Sequence, residues 1–278
     1  MPEGHTLHHH FDKQHRWFAG QVLHTSSPQG PFAPGAKVMN GATLKRSEAW
    51  GKHGFWHLSN GAVLHVHLGL YGFFRYHKRP EPDPRGAVRL RVVGDQRCLD
   101  LVGPTKCELL TRDGFAAIRR RLGPDPIRDE DPAPALAKLR RSRRPIGATL
   151  LDQSIIAGIG NVYRAELLFC ANLDPHTPSN EVPEPTLQSI WRNTVTLLKV
   201  GAKHNRILVV GEDTEGPIAG DQVDPRGFEV RGRYGPKPDR LWVYRRRVCK
   251  LCETRIVVSE LGNRTLYRCP RCQPDHVP

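Results

Sequence analysis

The sequence predicts an α+β protein of two domains, a first half of short β-strands and a second half of helices that ends in a cysteine-rich module. Three observations carry this. Short β-type stretches separated by turn signals recur between residues 22 and 101, a spacing that favours a sandwich or barrel. A proline- and acid-rich segment from Gly123-Pro124-Asp125-Pro126 to Pro132-Ala133-Pro134 reads as a linker. Beyond it the apolar pattern turns helical, and two Cys-x-x-Cys pairs lie near the end. At 278 residues the chain can bury two cores.

Taken in order, Leu7, Phe11, Trp17 and Phe18 recur at roughly helical spacing, so a helix follows the first few residues and ends near Gly20. The strands are expected at Val22 to Thr25, Ala42 to Leu44, Phe55 to Leu58, Val63 to Val66, Phe73 to Tyr76, Val88 to Val93 and Cys98 to Leu101. A basic helix follows from about Arg112 to Leu122. After the linker, Leu187, Ile190, Trp191, Thr194, Leu197 and Leu198 share one face of a helix opened by Pro185, a residue suited to a first turn. Gly211 to Gly220 reads as a long loop. The run His8-His9-His10 is too short and too internal for a purification tag, and no role for it follows from the sequence.

Lys and Arg outnumber Asp and Glu by 42 to 28, a formal net charge of +14. Such an excess points to a polyanionic partner, nucleic acid first, because each neutralised phosphate releases counterions. A merely basic solvated surface is the plainer alternative. No window approaches the ~18 apolar residues of a membrane span, and the N-terminus lacks the apolar stretch of a signal peptide. A cytoplasmic protein is therefore expected. In a reducing compartment, four paired cysteines read as a metal site, and the single Cys98, Cys107 and Cys170 as inert core thiols.

The sharpest local pattern is Cys249-x2-Cys252, sixteen residues, then Cys269-x2-Cys272. Each pair brings two thiolates to one side of a tight turn, and two such knuckles complete a tetrahedral shell for one structural Zn2+. Redox chemistry is the alternative, without thioredoxin-like surroundings to support it. Between the knuckles, Ile256-Val257-Val258 and Thr265-Leu266-Tyr267 flank Leu261-Gly262-Asn263, two strands and a turn that would present Arg264 outward. The second pattern is Ala157-Gly158-Ile159-Gly160-Asn161-Val162-Tyr163. It is either a closely packed helix start or a helix N-terminus at which backbone amides and Asn161 receive a DNA phosphate. The third is Met1-Pro2-Glu3-Gly4-His5-Thr6. Pro-Glu can simply open a helix. Loss of Met1 would instead leave a secondary amine, much less basic than lysine and therefore nucleophilic near neutrality.

Together, Pro2-Glu3-Gly4, Gly158-Ile159-Gly160-Asn161 and the terminal four-cysteine finger with Arg264 resemble the formamidopyrimidine-DNA glycosylase/endonuclease VIII family, in order and over nearly the whole chain. Lys52, in Trp50-Gly51-Lys52-His53-Gly54, matches the family's lysine in the N-terminal domain. The resemblance implies an N-terminal β-sandwich catalytic domain over residues 1–122, a linker at 123–135, a helical domain with a helix-two-turn-helix motif at 136–240 and a β-hairpin zinc finger at 241–278. It implies a cytoplasmic, nucleoid-associated monomer that removes oxidised bases from double-stranded DNA and cuts abasic sites, with single-stranded DNA as a further partner. Pro2 would attack C1′ and Glu3 would supply a proton. Lys52, Asn161 and Arg264 would hold phosphates, with His67 and Arg121 as further DNA contacts, and Arg264 would favour the second elimination. Leu70-Tyr71, in His67-Leu68-Gly69-Leu70-Tyr71-Gly72, resembles the loop of endonuclease VIII that fills the gap left by a flipped base. The plainer reading is a strand with core Leu and Tyr.

The match is not uniform. Endonuclease VIII has glutamine where Gly69 stands, and the formamidopyrimidine branch has lysine at the place of Gly147 and an arginine-rich turn where Asp100-Leu101-Val102-Gly103-Pro104 runs. Oxidised pyrimidines are therefore the expected lesions. A glycosylase for 8-oxoguanine and formamidopyrimidines, or a non-catalytic damage-binding protein, are the alternatives.

Overall fold

A computed structural model describes residues 2–209 and 240–277. The expected loop at 211–220 lies outside the described residues. The chain divides into two compact units, Met1–Arg121 and Leu122–Pro278.

The first unit opens with α1 (Gly4–Phe18), then β1 (His24–Ser26), α2 (Ala33–Met39), β2 (Leu44–Trp50), β3 (His53–Leu58), β4 (Val63–His67), β5 (Phe73–Lys78), β6 (Val88–Val93), β7 (Arg97–Val102), β8 (Lys106–Leu110) and α3 (Arg112–Arg121). The strands form two four-stranded antiparallel sheets, ordered β1-β6-β7-β5 and β2-β3-β4-β8. Their inner faces share one core, in which Trp56, Leu64 and Val66 of one sheet meet Leu90, Val92, Leu99 and Leu101 of the other. This is a sandwich. Leu7, Phe11 and Phe18 of α1 are at most 1% exposed and belong to the same core; burying each contributes about 1.5–3 kcal/mol. A Cβ on Gly54 would stand 1.9 Å from the Phe11 ring, so this helix can lie on β3 only because residue 54 has no side chain.

One expected strand needs correction, and two elements have no counterpart in the sequence expectations. The strand placed at Ala42 to Leu44 starts at Leu44 and runs to Trp50; Lys45 and Arg46 are exposed while Ser47, Glu48 and Ala49 are buried, a polarity that hides it. Strand β8 was not expected, because Lys106-Cys107-Glu108 interrupts its apolar pattern. Nor was α2, whose Pro34 and Gly35 resemble a turn although proline is at home in a first helical turn.

The second unit contains α4 (Ala133–Arg141), α5 (Ile146–Thr149), α6 (Asn161–Cys170), α7 (Glu184–His204), β9 (Val257–Glu260) and β10 (Thr265–Arg268). The proline-rich residues 123–135 pack within it. Asp125 is buried and accepts from the Ile127 amide at 2.9 Å, and Gly123 N–H donates to the Gln153 carbonyl. Helix α6 is buried on nearly every side, and α7 turns Leu187, Ile190, Trp191, Thr194, Leu197 and Leu198 inward. No helix among the described residues is long and apolar enough to cross a membrane.

Candidate active site and metal centre

In the first unit, Pro2 is half-buried and Glu3 is fully buried at the N-cap of α1. The Glu3 carbonyl accepts from the Thr6 amide at 2.9 Å, but its carboxyl group does not cap the helix it opens. His5, one turn in, is held neutral: burial first, then the neighbouring His9, His10 and His8, push it down to about 3. His10 bonds the Tyr76 hydroxyl at 2.9 Å, and Tyr76 also receives Gln14, whose carbonyl oxygen accepts from Trp56. This network gives His10 of the histidine run a structural role.

Lys52 sits on the β2–β3 turn, half-buried. Near it lies a row of imidazoles of which the sequence singles out only His67. His53 Nδ1 is 2.9 Å from His65 Nε2, and His65 Nδ1 is 2.9 Å from Glu108 Oε1. The His67 ring lies 5.0 Å from that of His53. Burial is the first cause that depresses His53, to about 3, as well as His65 and His67; Lys106 depresses all three, Arg121 acts on His53 and His65, and Lys52 on His67. The bonded members of the row lie 12 and 43 positions apart in the chain, so only strand register could have joined them.

The Gly69 amide donates to His67 Nδ1 at 3.1 Å. The following Leu70 and Tyr71 form a turn, 47% and 85% exposed, and are not core residues of a strand.

In the second unit, α5 and α6 are joined by two turns. Gln153 pins them, accepting from Gly158 N–H at 3.0 Å and donating to the Leu151 and Ile159 carbonyls. Gly158 has φ +100, which favours glycine. Asn161 opens α6; its amide donates to the Thr265 carbonyl at 2.9 Å and its oxygen accepts from Arg164 at 2.6 Å. Arg164, fully buried, also donates to the carbonyls of Thr265 at 2.9 Å, Leu261 at 3.2 Å and Gly147 at 3.4 Å. It therefore fastens both sides of the β9–β10 turn to α6. Arg264 stands exposed on that turn. Glu166, also fully buried, accepts from the amides of Trp242, Val243 and Tyr244 at 2.7–3.1 Å, fixing the chain that leads into the finger.

The sulfurs of Cys249, Cys252, Cys269 and Cys272 lie within 4.8 Å of one another, with Cys249–Cys272 at 4.0 Å, Cys252–Cys269 at 3.5 Å and Cys252–Cys272 at 3.4 Å. A tetrahedron of thiolates about 2.3 Å from a central zinc has edges of about 3.8 Å, so the donor set fits that ion. The Cys272 amide also points at Cys269 Sγ, 3.4 Å away.

Comparison with known proteins bears on both units. Residues 1–107 match the formamidopyrimidine-DNA glycosylase N-terminal domain, and residues 122–210 match the formamidopyrimidine-DNA glycosylase H2TH domain. Endonuclease 8 1 of Mycobacterium tuberculosis (strain ATCC 25618 / H37Rv) is 44% identical, covering 98% of this chain and 100% of its own. The chain belongs to the formamidopyrimidine-DNA glycosylase/endonuclease VIII family. It is a base-excision-repair DNA glycosylase with abasic-site lyase activity. Formamidopyrimidine-DNA glycosylase of Prochlorococcus marinus (strain MIT 9313) is 36% identical over 77% of this chain and 72% of its own. The Lactococcus lactis Fpg, solved with DNA containing N7-benzyl-Fapy-dG, shares the fold with a TM-score of 0.78 at 21% identity, covering 99% of this chain and 100% of its own.

The structure accounts locally for two departures from the family pattern. Gly69 has φ +66, and a Cβ there would meet Thr105 Oγ1 at 1.8 Å, so the glutamine of endonuclease VIII does not fit this turn. A Cβ on Gly147 would meet Leu261 at 2.8 Å and the Pro175 carbonyl at 3.0 Å; Leu261 of the finger and Pro175 together fill the space a lysine would need.

Proposed function

We propose that this enzyme excises oxidised pyrimidines from duplex DNA with Pro2 as nucleophile and cuts the strand by β,δ-elimination. After loss of Met1, the Pro2 amine attacks C1′, the base departs, and Glu3 supplies the proton that helps open the sugar. The resulting iminium carries a fixed positive charge and draws electrons from the C2′–H bond. A base removes that proton and the 3′ phosphate leaves; the second elimination then expels the 5′ phosphate. Lys52, His67, Arg121, Asn161 and Arg264 hold phosphates along the strand. Leu70 and Tyr71 enter the space vacated by the flipped base. A zinc ion held by Cys249, Cys252, Cys269 and Cys272 would supply no bond making, only the shape of the finger. The active form is a cytoplasmic monomer.

The observation that carries the lesion assignment is the exposed Leu70-Tyr71 turn, an apolar pair with nothing of its own unit to cover it fully. The name of the 44% identical relative, Endonuclease 8 1, supports the same direction. Single-lesion duplexes test it. Thymine glycol should be excised faster than 8-oxoguanine opposite cytosine, and Tyr71→Ala should slow excision without lowering stability. The reverse lesion order would move the enzyme to the formamidopyrimidine branch. Borohydride should trap a covalent adduct on a peptide beginning at Pro2, and Glu3→Gln should lose base excision while retaining some cleavage of ready-made abasic sites. Tight binding of abasic DNA with no trapped adduct would remove the catalytic roles.

A further inference from the structure

We propose that Glu108, acting through His65 and His53, is a positioning residue for the phosphate-gripping surface made by Lys52 and His67. The proposal rests on the reading of Lys52 and His67 as phosphate ligands. It starts from register: β4 pairs with both β3 and β8, and His65 lies directly opposite Phe55 on one side and Glu108 on the other. This brings a carboxylate, a buried imidazole and a second imidazole into one chain of two 2.9 Å hydrogen bonds.

One proton arrangement satisfies the chain while it is uncharged. Glu108, held below the usual carboxylate range first by its bond to His65, can only accept. His65 must then carry its proton on Nδ1, which leaves a lone pair on Nε2. His53 must donate to that lone pair from its own Nδ1, so His53 Nε2 is an acceptor. The opposite arrangement would aim a lone pair of His65, whose side chain is 1% exposed, at a carboxylate 2.9 Å away. Both rings are thus fixed in the Nδ1–H tautomer, the reverse of the form that predominates in a free histidine. His67 is set independently. Its Nδ1 accepts from Gly69 N–H, so its Nε2 carries the proton and can donate to a phosphate oxygen.

The charged and titratable groups around this row are Lys52 from the β2–β3 turn, His67 from β4, Lys106 and Glu108 from β8 and Arg121 from α3. Burial and these cations keep the imidazoles neutral. His53 is bonded through the main chain to Lys52 and packs its ring against His67. Holding His53 therefore fixes both gripping groups. Its lone pair at Nε2 turns a phosphate away from itself and toward Lys52 Nζ and His67 Nε2–H. Without Glu108, the His65 Nδ1–H is left in a buried site without its acceptor, the chain can reverse, and His53 becomes a competing donor.

The test is made on the full-length, zinc-loaded protein with 15N-labelled histidine. Long-range imidazole 15N–1H spectra near pH 7.5 should show His53 and His65 as Nδ1–H and His67 as Nε2–H. A proton on His65 Nε2 in the wild type overturns the proposal before any variant is made. Glu108 is 42% exposed, so Glu108→Met should fold. In that variant His53 and His65 should leave the Nδ1–H form, and KM for an abasic duplex should rise roughly tenfold, the size expected from one lost hydrogen bond, with kcat falling far less. Tautomers that change while KM does not, or neither changing, would overturn the positioning role. Lys52→Ala separates the two levels: if it binds DNA like the wild type, the phosphate reading of Lys52 fails whatever Glu108→Met does.

Discussion

Replacing Arg164 by methionine tests whether the finger is held in place by α6. Methionine keeps much of the buried volume and removes the guanidinium, which donates to Asn161 Oδ1 at 2.6 Å and to the carbonyls of Thr265, Leu261 and Gly147 at 2.9, 3.2 and 3.4 Å. The two short bonds dominate, and charge-assisted bonds contribute about 1.5–3 kcal/mol each. Two terms reduce the loss. The Thr265 carbonyl keeps its bond from Asn161, and the variant no longer has to desolvate a buried charge. A net destabilisation of about 2–4 kcal/mol remains, limited by the free energy of docking the hairpin, since beyond that the finger simply detaches. Amide exchange should speed up across residues 257–268 by about 30- to 1,000-fold, with zinc still bound, and δ-elimination should fall relative to β-elimination. Unchanged exchange in that hairpin, with a urea midpoint equal to wild type, would refute the idea that Arg164 carries the connection.

Cys269→Ser should abolish zinc binding, loosen β9 and β10 and weaken DNA binding by at least about tenfold through loss of the finger's cations, while near-UV signals from the Trp56 core persist; zinc-free protein that is fully folded and active would contradict this. Acid should destabilise the first unit. His5, His10 and His53 are each lowered from 6.5 to about 3, chiefly by burial, so as pH falls below 6.5 the unfolded chain takes up protons before the folded one does. Stability is complete above that pH and is lost progressively toward pH 3, by about 2 kcal/mol at pH 5 for the buried His5 alone. Urea unfolding at pH 7.5, 6 and 5 measures it, and a flat midpoint would contradict the buried neutral histidines.

What the sequence made legible depended on whether the information was local. The helix carrying Leu7, Phe11 and Phe18 and the long helix with Leu187, Ile190 and Leu198 declare themselves by period, because one face of each is buried in an apolar core. The cysteine pairs are legible because each knuckle closes within four residues. Strand β8 was hidden because Lys106 and Glu108 serve the polar face of its sheet. The histidine row was hidden for a related reason: residues 53, 65 and 108 are unremarkable singly and meet only through the register of three strands. Arg164 and Glu166, fully buried within an apolar helix, break its apolar pattern, and their partners in the finger and the chain leading into it lie 76 to 101 residues away.

The hydrogen bond from Gly69 N–H to His67 Nδ1 makes a single rigid piece of two devices that could have moved separately. On the proposed roles, the wedge of Leu70 and Tyr71 and the imidazole that grips a phosphate share one short stretch of main chain, so neither can advance alone. Against an intact duplex, where the wedge is refused by stacked bases, His67 is refused its phosphate as well, and the hold stays loose enough for the protein to travel on. Where the stack yields, both engage in one movement. The interrogation of a base pair and the decision to stop there would then be the same event.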